Sequence, residues 1–400
     1  MATIIGKSSS NFLRGTIFSD LIIGNTGNDT VLGDDGSDNI QSGAGNDSVN
    51  GDAGDDLIYG GTGNDTMNGG EGNDYFYDAD GIDTFNGGNG FDTIDYSGLA
   101  PGRGVDVFLQ LGYGGRDAAG DKYSGIENVT GSNLHDFLWG DNNANVIQGL
   151  GGTDFLRGFA GDDKFYGGTG NDEMYGDDGK DTFYGVEGND IVTGGLGEDW
   201  VDLSASNGGS VGTGITVNFA TATFLGPLKI FSLADGDQVY EVEGLRGTAF
   251  NDDIDMTGKV SMSFSILDGG AGDDTLRGVT SYFGGAGLDT IRLATGQAEA
   301  VHLQLGMGYD KITGFNAADG DTLVISRAQF GGNASTVYNW VDTTNAPTAT
   351  AAGPTFIFES STQILWFDAD GTGAGSAPTA LAGFYSPVAA PVLADLIFVA

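Results

Sequence analysis

Acidic side chains recur at a constant interval of nine residues in two long stretches of this chain. The positions are Asp20, Asp29, Asp38, Asp47, Asp56, Asp65, Asp74, Asp83 and Asp92, followed by Asp136, Asn145, Asp154, Asp163, Asp172, Asp181, Asp190 and Asp199. Carboxylate oxygens beside glycine backbone carbonyls are the ligands that a hard divalent cation such as calcium prefers. The pattern therefore predicts a series of calcium sites.

The unit that carries each acid is best preserved at residues 60–68, which read Gly-Gly-Thr-Gly-Asn-Asp-Thr-Met-Asn. Six residues form a turn, in which glycine accommodates positive φ, and three form a strand. Because strand side chains alternate, the eighth residue of each unit points inward. These inward residues are all apolar: Ile22, Val31, Ile40, Val49, Ile58, Met67, Phe76, Phe85, Ile94, Leu138, Ile147, Leu156, Phe165, Met174, Phe183, Val192 and Val201.

Two units complete one coil of eighteen residues, and stacked coils form two parallel sheets with turns along both edges. The sequence thus predicts an all-β fold, a parallel β-roll (β-solenoid) of calcium-binding nonapeptide repeats with a C-terminal β cap. Each ion is expected between turns of neighbouring coils, on Asp carboxylates and backbone carbonyls. Stacking of the two runs gives multiple Ca²⁺ ions, roughly 13 or more.

The repeats divide the chain into seven predicted segments. These are an N-terminal cap (1–14), a first roll (15–95), a non-repeat insertion (96–130), a second roll (131–202), a second insertion (203–246), a degenerate third roll (247–319) and a C-terminal β cap (320–400). Turns at irregular spacing in the third roll add four predicted ligands, Asp252, Asp274, Asp289 and Asp310. The two insertions resemble each other, and we expect them to extend the sheets while skipping calcium turns.

The charge of the chain is the second strong constraint. Its 400 residues carry a formal net charge of −41 and include no cysteine. Self-repulsion of this charge opposes a compact state, so we expect ion binding and folding to be coupled. Nucleic acid is excluded as a partner by the same charge. No disulfide framework, apolar signal-peptide stretch or transmembrane run is recognised in the sequence.

The repeats, the element Ile126-Glu-Asn-Val-Thr-Gly and the stretch Trp366-Phe-Asp-Ala-Asp-Gly-Thr-Gly resemble RTX (hemolysin-type) calcium-binding proteins, which Gram-negative bacteria secrete by type I systems. The last ten residues, an Asp followed by a short apolar run, resemble type I secretion signals, although a terminal buried strand has the same pattern. The resemblance implies a secreted protein, extracellular or associated with the cell surface, with the type I secretion machinery as a partner.

The sequence offers no convincing catalytic site, and an enzyme is not expected. The only histidines are His135 and His302, and the G-x-S-x-G match at residues 208–212 lies in a Gly/Ser run without the strand and helix of a nucleophile elbow. The least favoured hypothesis is an enzyme with an unfamiliar site in the insertions or in residues 320–400.

Two other functions stay open. The favoured one is a structural or interaction protein of the cell surface or extracellular matrix. It would self-associate on calcium into a surface layer or filament, or contact cell-surface polysaccharide. The alternative is a soluble secreted effector that binds a carbohydrate, a membrane or a host ligand through its insertions. Outward-facing Phe137, Trp139 and Phe155 mark either a contact surface or a patch covered by an insertion or by the C-terminal cap.

Overall fold

The chain is all-β in the computed structural model, which describes residues 2–77, 81–99, 102, 104–188, 190–204, 216–218, 223–224, 238–240, 242–257, 265–304, 308–326, 329–330, 339–343, 354–359, 363–369, 378–385, 391 and 396–399. Within these residues the helical segments are two 3₁₀ turns, Leu109–Leu111 and Ala317–Asp319, and neither has the length to cross a membrane. The strands are β1 (Thr3–Ile5), β2 (Phe12–Arg14), β3 (Leu21–Ile23), β4 (Thr30–Leu32), β5 (Asn39–Ala44), β6 (Ser48–Ala53), β7 (Leu57–Thr62), β8 (Thr66–Glu71), β9 (Tyr75–Tyr77), β10 (Thr84–Asn89), β11 (Thr93–Asp95), β12 (Val105–Phe108), β13 (Tyr113–Arg116), β14 (Lys122–Ser124), β15 (Asn128–Thr130), β16 (Phe137–Trp139), β17 (Val146–Gln148), β18 (Gly151–Gly152), β19 (Phe155–Ala160), β20 (Lys164–Gly170), β21 (Glu173–Asp178), β22 (Thr182–Gly188), β23 (Ile191–Leu196), β24 (Trp200–Asp202), β25 (Thr216–Asn218), β26 (Thr223–Phe224), β27 (Gln238–Tyr240), β28 (Gly244–Arg246), β29 (Asp253–Asp255), β30 (Ile266–Asp268), β31 (Thr275–Arg277), β32 (Ser281–Phe283), β33 (Thr290–Arg292), β34 (Ala300–Leu303), β35 (Asp310–Thr313), β36 (Thr322–Ser326), β37 (Asn339–Thr343), β38 (Thr355–Glu359), β39 (Ile364–Asp368), β40 (Thr379–Tyr385) and β41 (Leu396–Val399).

The nine-residue unit produces one turn and one short strand, and successive units contribute strands to opposite sheets. Ile22 pairs in parallel register with Ile40, and Val31 pairs with Val49, so each strand meets the strand eighteen residues further on. Every one of the seventeen predicted inward residues is at most 1% exposed, because alternation directs it between the two sheets. The predicted parallel β-roll is confirmed.

Glycine permits the sharp turns between these strands. In the best-preserved unit, Gly61 and Gly63 have φ values of +92° and +127°, a region that side chains with a Cβ rarely adopt. The two glycines let the backbone reverse within six residues and enter the opposite sheet.

One compact unit comprises residues 1–199 and 236–241. Its first sheet pairs β1, β3, β5, β7, β9, β11, β15, β17, β20 and β22 in parallel. Strands of the first insertion continue both sheets: β14 pairs with β10, β15 with β11, and β12 with β16. An antiparallel strand, β13, joins β12 to β14. The insertion thus extends the sheets, as the sequence predicts.

The second compact unit comprises residues 200–235 and 242–400. One sheet pairs β24, β28, β30, β32, β34, β36 and β41 in parallel. The other is parallel from β25 through β29, β31, β33 and β35 to β40, and then antiparallel through β39 and β38. The stretch predicted to carry an export signal contains β41, in which Leu396 is buried.

Candidate metal centre

The predicted ligands of the first run lie in two files, one on each edge of the roll, because alternate turns face opposite edges. Along each file the backbone N–H of one Asp donates a hydrogen bond to Oδ1 of the Asp in the next coil. The N–O distances are 2.8 Å from Asp38 to Asp56 and 2.9 Å from Asp56 to Asp74. These hydrogen bonds fix one oxygen of each carboxylate.

The same hydrogen bond orders the second and third runs. It measures 2.9 Å from Asp154 to Asp172 and 2.9 Å from Asp163 to Asp181. In the third run it joins Asp274 to Asp289 at 2.9 Å, although these residues are only fifteen apart in sequence. The aspartates therefore stay stacked from coil to coil even where the nine-residue spacing is lost.

The second carboxylate oxygen, Oδ2, distinguishes most of these turns. It is buried, and within the described part of the chain it accepts no hydrogen bond in Asp29, Asp38, Asp56, Asp65, Asp74, Asp92, Asp154, Asp163, Asp172, Asp181 and Asp274. A buried charged oxygen without a partner is costly unless a cation or donor compensates it. Repetition of this arrangement along both edges indicates a common missing partner of positive charge.

The first residue of most turns, a glycine, shows where such a partner fits. A Cβ built on Gly149 would lie 2.5 Å from Asp154 Oδ2 and 2.7 Å from the carbonyl oxygen of Gly167 in the next coil. A carboxylate oxygen and a carbonyl oxygen therefore face the same point, which only glycine leaves accessible. This donor set is the one that calcium prefers, so the residues fit the predicted ion.

Burial raises the pKa of these carboxyl groups. The pKa of Asp65 rises to about 7 and those of Asp154 and Asp163 rise to about 8, first by desolvation and then by neighbouring carboxylates. Hydrogen bonds have the opposite effect at Asp20, whose pKa is lowered chiefly by the N–H of Ala2. A divalent cation would favour the ionised form of the raised groups.

Side chains alone do not make a metal cluster here. Among the residues that the structure describes, no three His, Cys, Asp or Glu side chains gather closely enough to hold an ion. The predicted sites combine carbonyl oxygens of the turns with Asp carboxylates, and this prediction does not require such a cluster.

Two acids of the first insertion, which the nine-residue pattern does not identify, join the files. Asp121 accepts the N–H of Asp83 through Oδ1 at 2.8 Å, and Glu127 accepts the N–H of Asp92 through Oε2 at 2.8 Å. Both precede strands of the insertion, and the insertion's length hides their register from the spacing. Asp121 Oδ2 accepts a hydrogen bond from the Tyr96 hydroxyl at 3.0 Å, so a tyrosine side chain supplies the donor in this turn.

Four predicted ligands differ from the others. The side-chain oxygens of Asp20, Asp136, Asn145 and Asp252 accept hydrogen bonds from backbone N–H groups of their own turns. Spacing alone does not distinguish these turns.

Other residues noted in the sequence have structural contacts. His135 Nδ1 accepts the N–H of Thr153 at 2.8 Å, and His302 Nε2 lies 2.8 Å from the Ser281 hydroxyl. Part of the aromatic patch is covered by the insertion, because the Arg116 guanidinium lies 4.5 Å from the centre of the Phe137 ring. The G-x-S-x-G match lies outside the described residues.

Comparison with known proteins agrees with this geometry. The sequence model of the RTX calcium-binding nonapeptide repeat (4 copies) matches residues 5–40, 32–67, 41–76, 139–174, 175–208 and 265–278, less than half of the chain. No curated protein matches. Among solved structures, the crystal structure of extracellular lipase LipA from Serratia marcescens is 17% identical, with a TM-score of 0.20. The match covers 69% of this chain and 40% of the lipase chain, and it supports no inference about activity.

Proposed function

We propose that this chain, whose repeats match the RTX calcium-binding nonapeptide model, is a secreted calcium-binding protein of the cell surface or extracellular matrix, with a structural role and no catalytic site. The observation that carries the proposal is the series of buried Oδ2 atoms without a hydrogen-bond donor, several of which, as in Asp56, Asp74 and Asp154, face a carbonyl oxygen of the next coil. Calcium would satisfy both oxygens, and the same ion would connect two coils.

Calcium and folding are coupled in this proposal. Without the ion, the chain buries unpartnered carboxylates against a net charge of −41, which favours an expanded state. With millimolar calcium, the regime of extracellular calcium modules, the carboxylates are neutralised and the coils stack. A chain that folds only in high calcium can pass unfolded through a type I secretion machine and fold outside the cell.

Self-association is the second part of the proposal. The favoured product is a surface layer or filament, and cell-surface polysaccharide is the other candidate partner. Exposed apolar side chains support an interaction role: Ile5, Phe12, Ile17 and Phe18 are each 63–66% exposed at the first coil. An apolar patch of this kind usually marks a contact.

The experiment that tests the proposal is light scattering of purified, chelator-treated full-length chain while calcium is added to millimolar levels, with magnesium as the control ion. Compaction followed by growth into ordered particles supports the structural role. Compaction at constant mass retains the calcium-folded roll but overturns self-assembly, in favour of a soluble effector. No change of size with calcium overturns the proposal as a whole.

A further inference from the structure

Among the turns that the structure describes, five are built differently from the rest, and we call them closed turns. In each, the backbone N–H of the second turn residue donates to a side-chain oxygen of the sixth. The distances are 3.0 Å from Lys7 to Asn11, 2.8 Å from Thr16 to Asp20, 2.6 Å from Ser132 to Asp136, 2.8 Å from Asp141 to Asn145 and 2.7 Å from Thr248 to Asp252. The turn thus supplies its own donor to the acid or amide that ends it.

A hydroxyl completes three of the closed turns. The Ser132 hydroxyl donates to Asp136 Oδ1 at 2.9 Å and accepts the N–H of Leu134 at 3.1 Å. Thr16 and Thr248 make the equivalent pairs of hydrogen bonds in their turns. Both oxygens of Asp136 therefore have donors, whereas Asp154 in the next coil of the same file has a buried Oδ2 that accepts no hydrogen bond.

An amide completes the other two closed turns. Asn145 Nδ2 donates to the carbonyl oxygen of Glu127 at 2.7 Å, and Asn11 Nδ2 donates to the carbonyl oxygen of Lys7 at 3.0 Å. An NH₂ group offers carbonyl oxygens the positive end of a dipole, which a cation would otherwise provide. The NH₂ group of Asn145 thus takes the place of a cation in this turn, and the residue is not merely a weaker ligand than Asp.

The backbone separates the two classes of turn as well. We call the remaining turns of the three runs open turns. In the open turn 149–154, the second and fourth residues, Leu150 and Gly152, have φ values of +72° and +142°. Ser132 and Leu134, at the same places in the closed turn, do not adopt positive φ. The sequence signal is the fourth turn residue, which is Ser9, Phe18, Leu134, Asn143 or Phe250 in closed turns and glycine in the other seventeen turns of the three runs.

We propose that the closed turns take no calcium and that the coils containing them form calcium-independent kernels on which the ion-dependent coils assemble. The inference rests on the proposed function, since it requires calcium in the open turns. Closed turns stand at the start of each of the three runs, as a pair in the first two. Thr16, Ser132 and Thr248 thereby determine which turns depend on the ion.

Residues 104–148 form the best-defined kernel. There, β12 pairs with β16 and β15 pairs with β17, so two coils stack without an intervening open turn. The N–H of Val105 donates to Asp136 Oδ1 at 2.8 Å, and this hydrogen bond joins the two coils along one edge. Val105, Val107, Val129, Leu138 and Ile147 are fully buried between the sheets, which supplies the apolar contact that stacked repeats need.

The kernel also offers a preformed attachment point for the first open turn. The N–H of Asp136 donates to Asp154 Oδ1 at 2.8 Å, and the N–H of Asn145 donates to Asp163 Oδ1 at 2.7 Å. The first ion-dependent coil therefore meets two fixed donors, one on each edge, before calcium binds.

Hydrogen exchange of the full-length chain, measured by mass spectrometry with and without chelator, tests the inference. In chelator, peptides within 104–148 are expected to exchange at least about tenfold more slowly than peptides within 155–188. Equal exchange of the two regions in chelator, with slow exchange of both in calcium, overturns the kernel and leaves the proposed function intact. Hydrogen-exchange rates that are the same with and without calcium in every region overturn the proposed function instead.

The variant Ser132→Ala removes the closing hydroxyl, and Thr153→Ala removes an exposed hydroxyl from the neighbouring open turn as a matched control. In chelator, Ser132→Ala is expected to lose the slow exchange of residues 104–148, while Thr153→Ala retains it. Both variants are expected to fold in calcium, which circular dichroism checks before the comparison. Retained slow exchange in Ser132→Ala would overturn the role given to the hydroxyl.

Discussion

The turns at residues 131–136 and 149–154 occupy the same edge in successive coils, yet they compensate a buried carboxylate in opposite ways. Ser132 gives Asp136 two hydrogen bonds within the turn, whereas Asp154 Oδ2 faces the carbonyl oxygen of Gly167 without a donor. The first turn satisfies its carboxylate with its own atoms, and the second leaves one carboxylate oxygen for the proposed ion. A single repeat fold can therefore mix autonomous and ion-dependent coils, and a few side chains decide which is which.

Removing calcium is expected to produce the largest difference between the two classes. In excess chelator, the β signal in circular dichroism should fall by more than half, because most turns of the three runs are open. A titration back into calcium, with magnesium as the control, measures the recovery. A spectrum unchanged by chelator would contradict the distinction between open and closed turns.

Acidification is expected to have the next largest effect, because many carboxyl groups contribute. The folded-state pKa is raised to about 8 at Asp154 and to about 7 at Asp65, so the calcium-free folded state binds more protons than the unfolded state. The stability of the calcium-free folded state should therefore rise as the pH falls from 8 to 6. The full gain from these carboxyl groups should be present below about pH 4.

The pH dependence does not follow the two classes of turn, because burial also raises the pKa of Asp136 in a closed turn. Asp20 has a lowered pKa, so its contribution should be lost on acidification rather than gained. Thermal unfolding in chelator from pH 8 to pH 5 measures the contribution of the groups with raised pKa, since that of Asp20 changes only below about pH 4. A fall in stability over this range would contradict the burial of the open-turn carboxylates.

The variant Gly149→Ala should destabilise the calcium-loaded protein by about 1–3 kcal/mol, because its methyl group would occupy the point that Asp154 Oδ2 and the Gly167 carbonyl oxygen face. Gly98→Ala is the control, since no atom lies within 4 Å of the added Cβ. Urea unfolding in calcium gives both values, and equal stability of the two variants would show that the first glycine is not part of the site.

The variant Asp154→Asn should have the smallest effect. It should weaken the structure in calcium and strengthen it in chelator. In calcium, it removes a ligand charge and should raise the calcium midpoint several-fold. In chelator above pH 8, where the buried carboxyl group is ionised, it removes a buried charge and should slow hydrogen exchange around residue 154. Asp136→Asn is the matched variant in a closed turn, and its calcium midpoint should stay unchanged. A shift of equal size in both variants would remove the distinction between the two turns.

Much of this molecule is predictable from its sequence, and the exceptions have physical reasons. The inward column and the parallel register follow from alternation and the nine-residue spacing, and both are confirmed. Asp121 escapes prediction because the insertion places it thirty-eight residues after Asp83 while the fold stacks the two in adjacent coils. Closed turns escape because spacing records where the acid lies and not whether its turn contains a donor.

The pairing of each strand with the strand eighteen residues further on determines which changes of length the first two runs tolerate. Deleting one nine-residue unit would move every following strand to the opposite sheet and every following aspartate to the opposite edge. Deleting eighteen residues would leave each later side chain on its own face and each file intact. Variation in length within a run is therefore expected in whole coils, so that the roll is shortened or lengthened in steps that preserve its two edges.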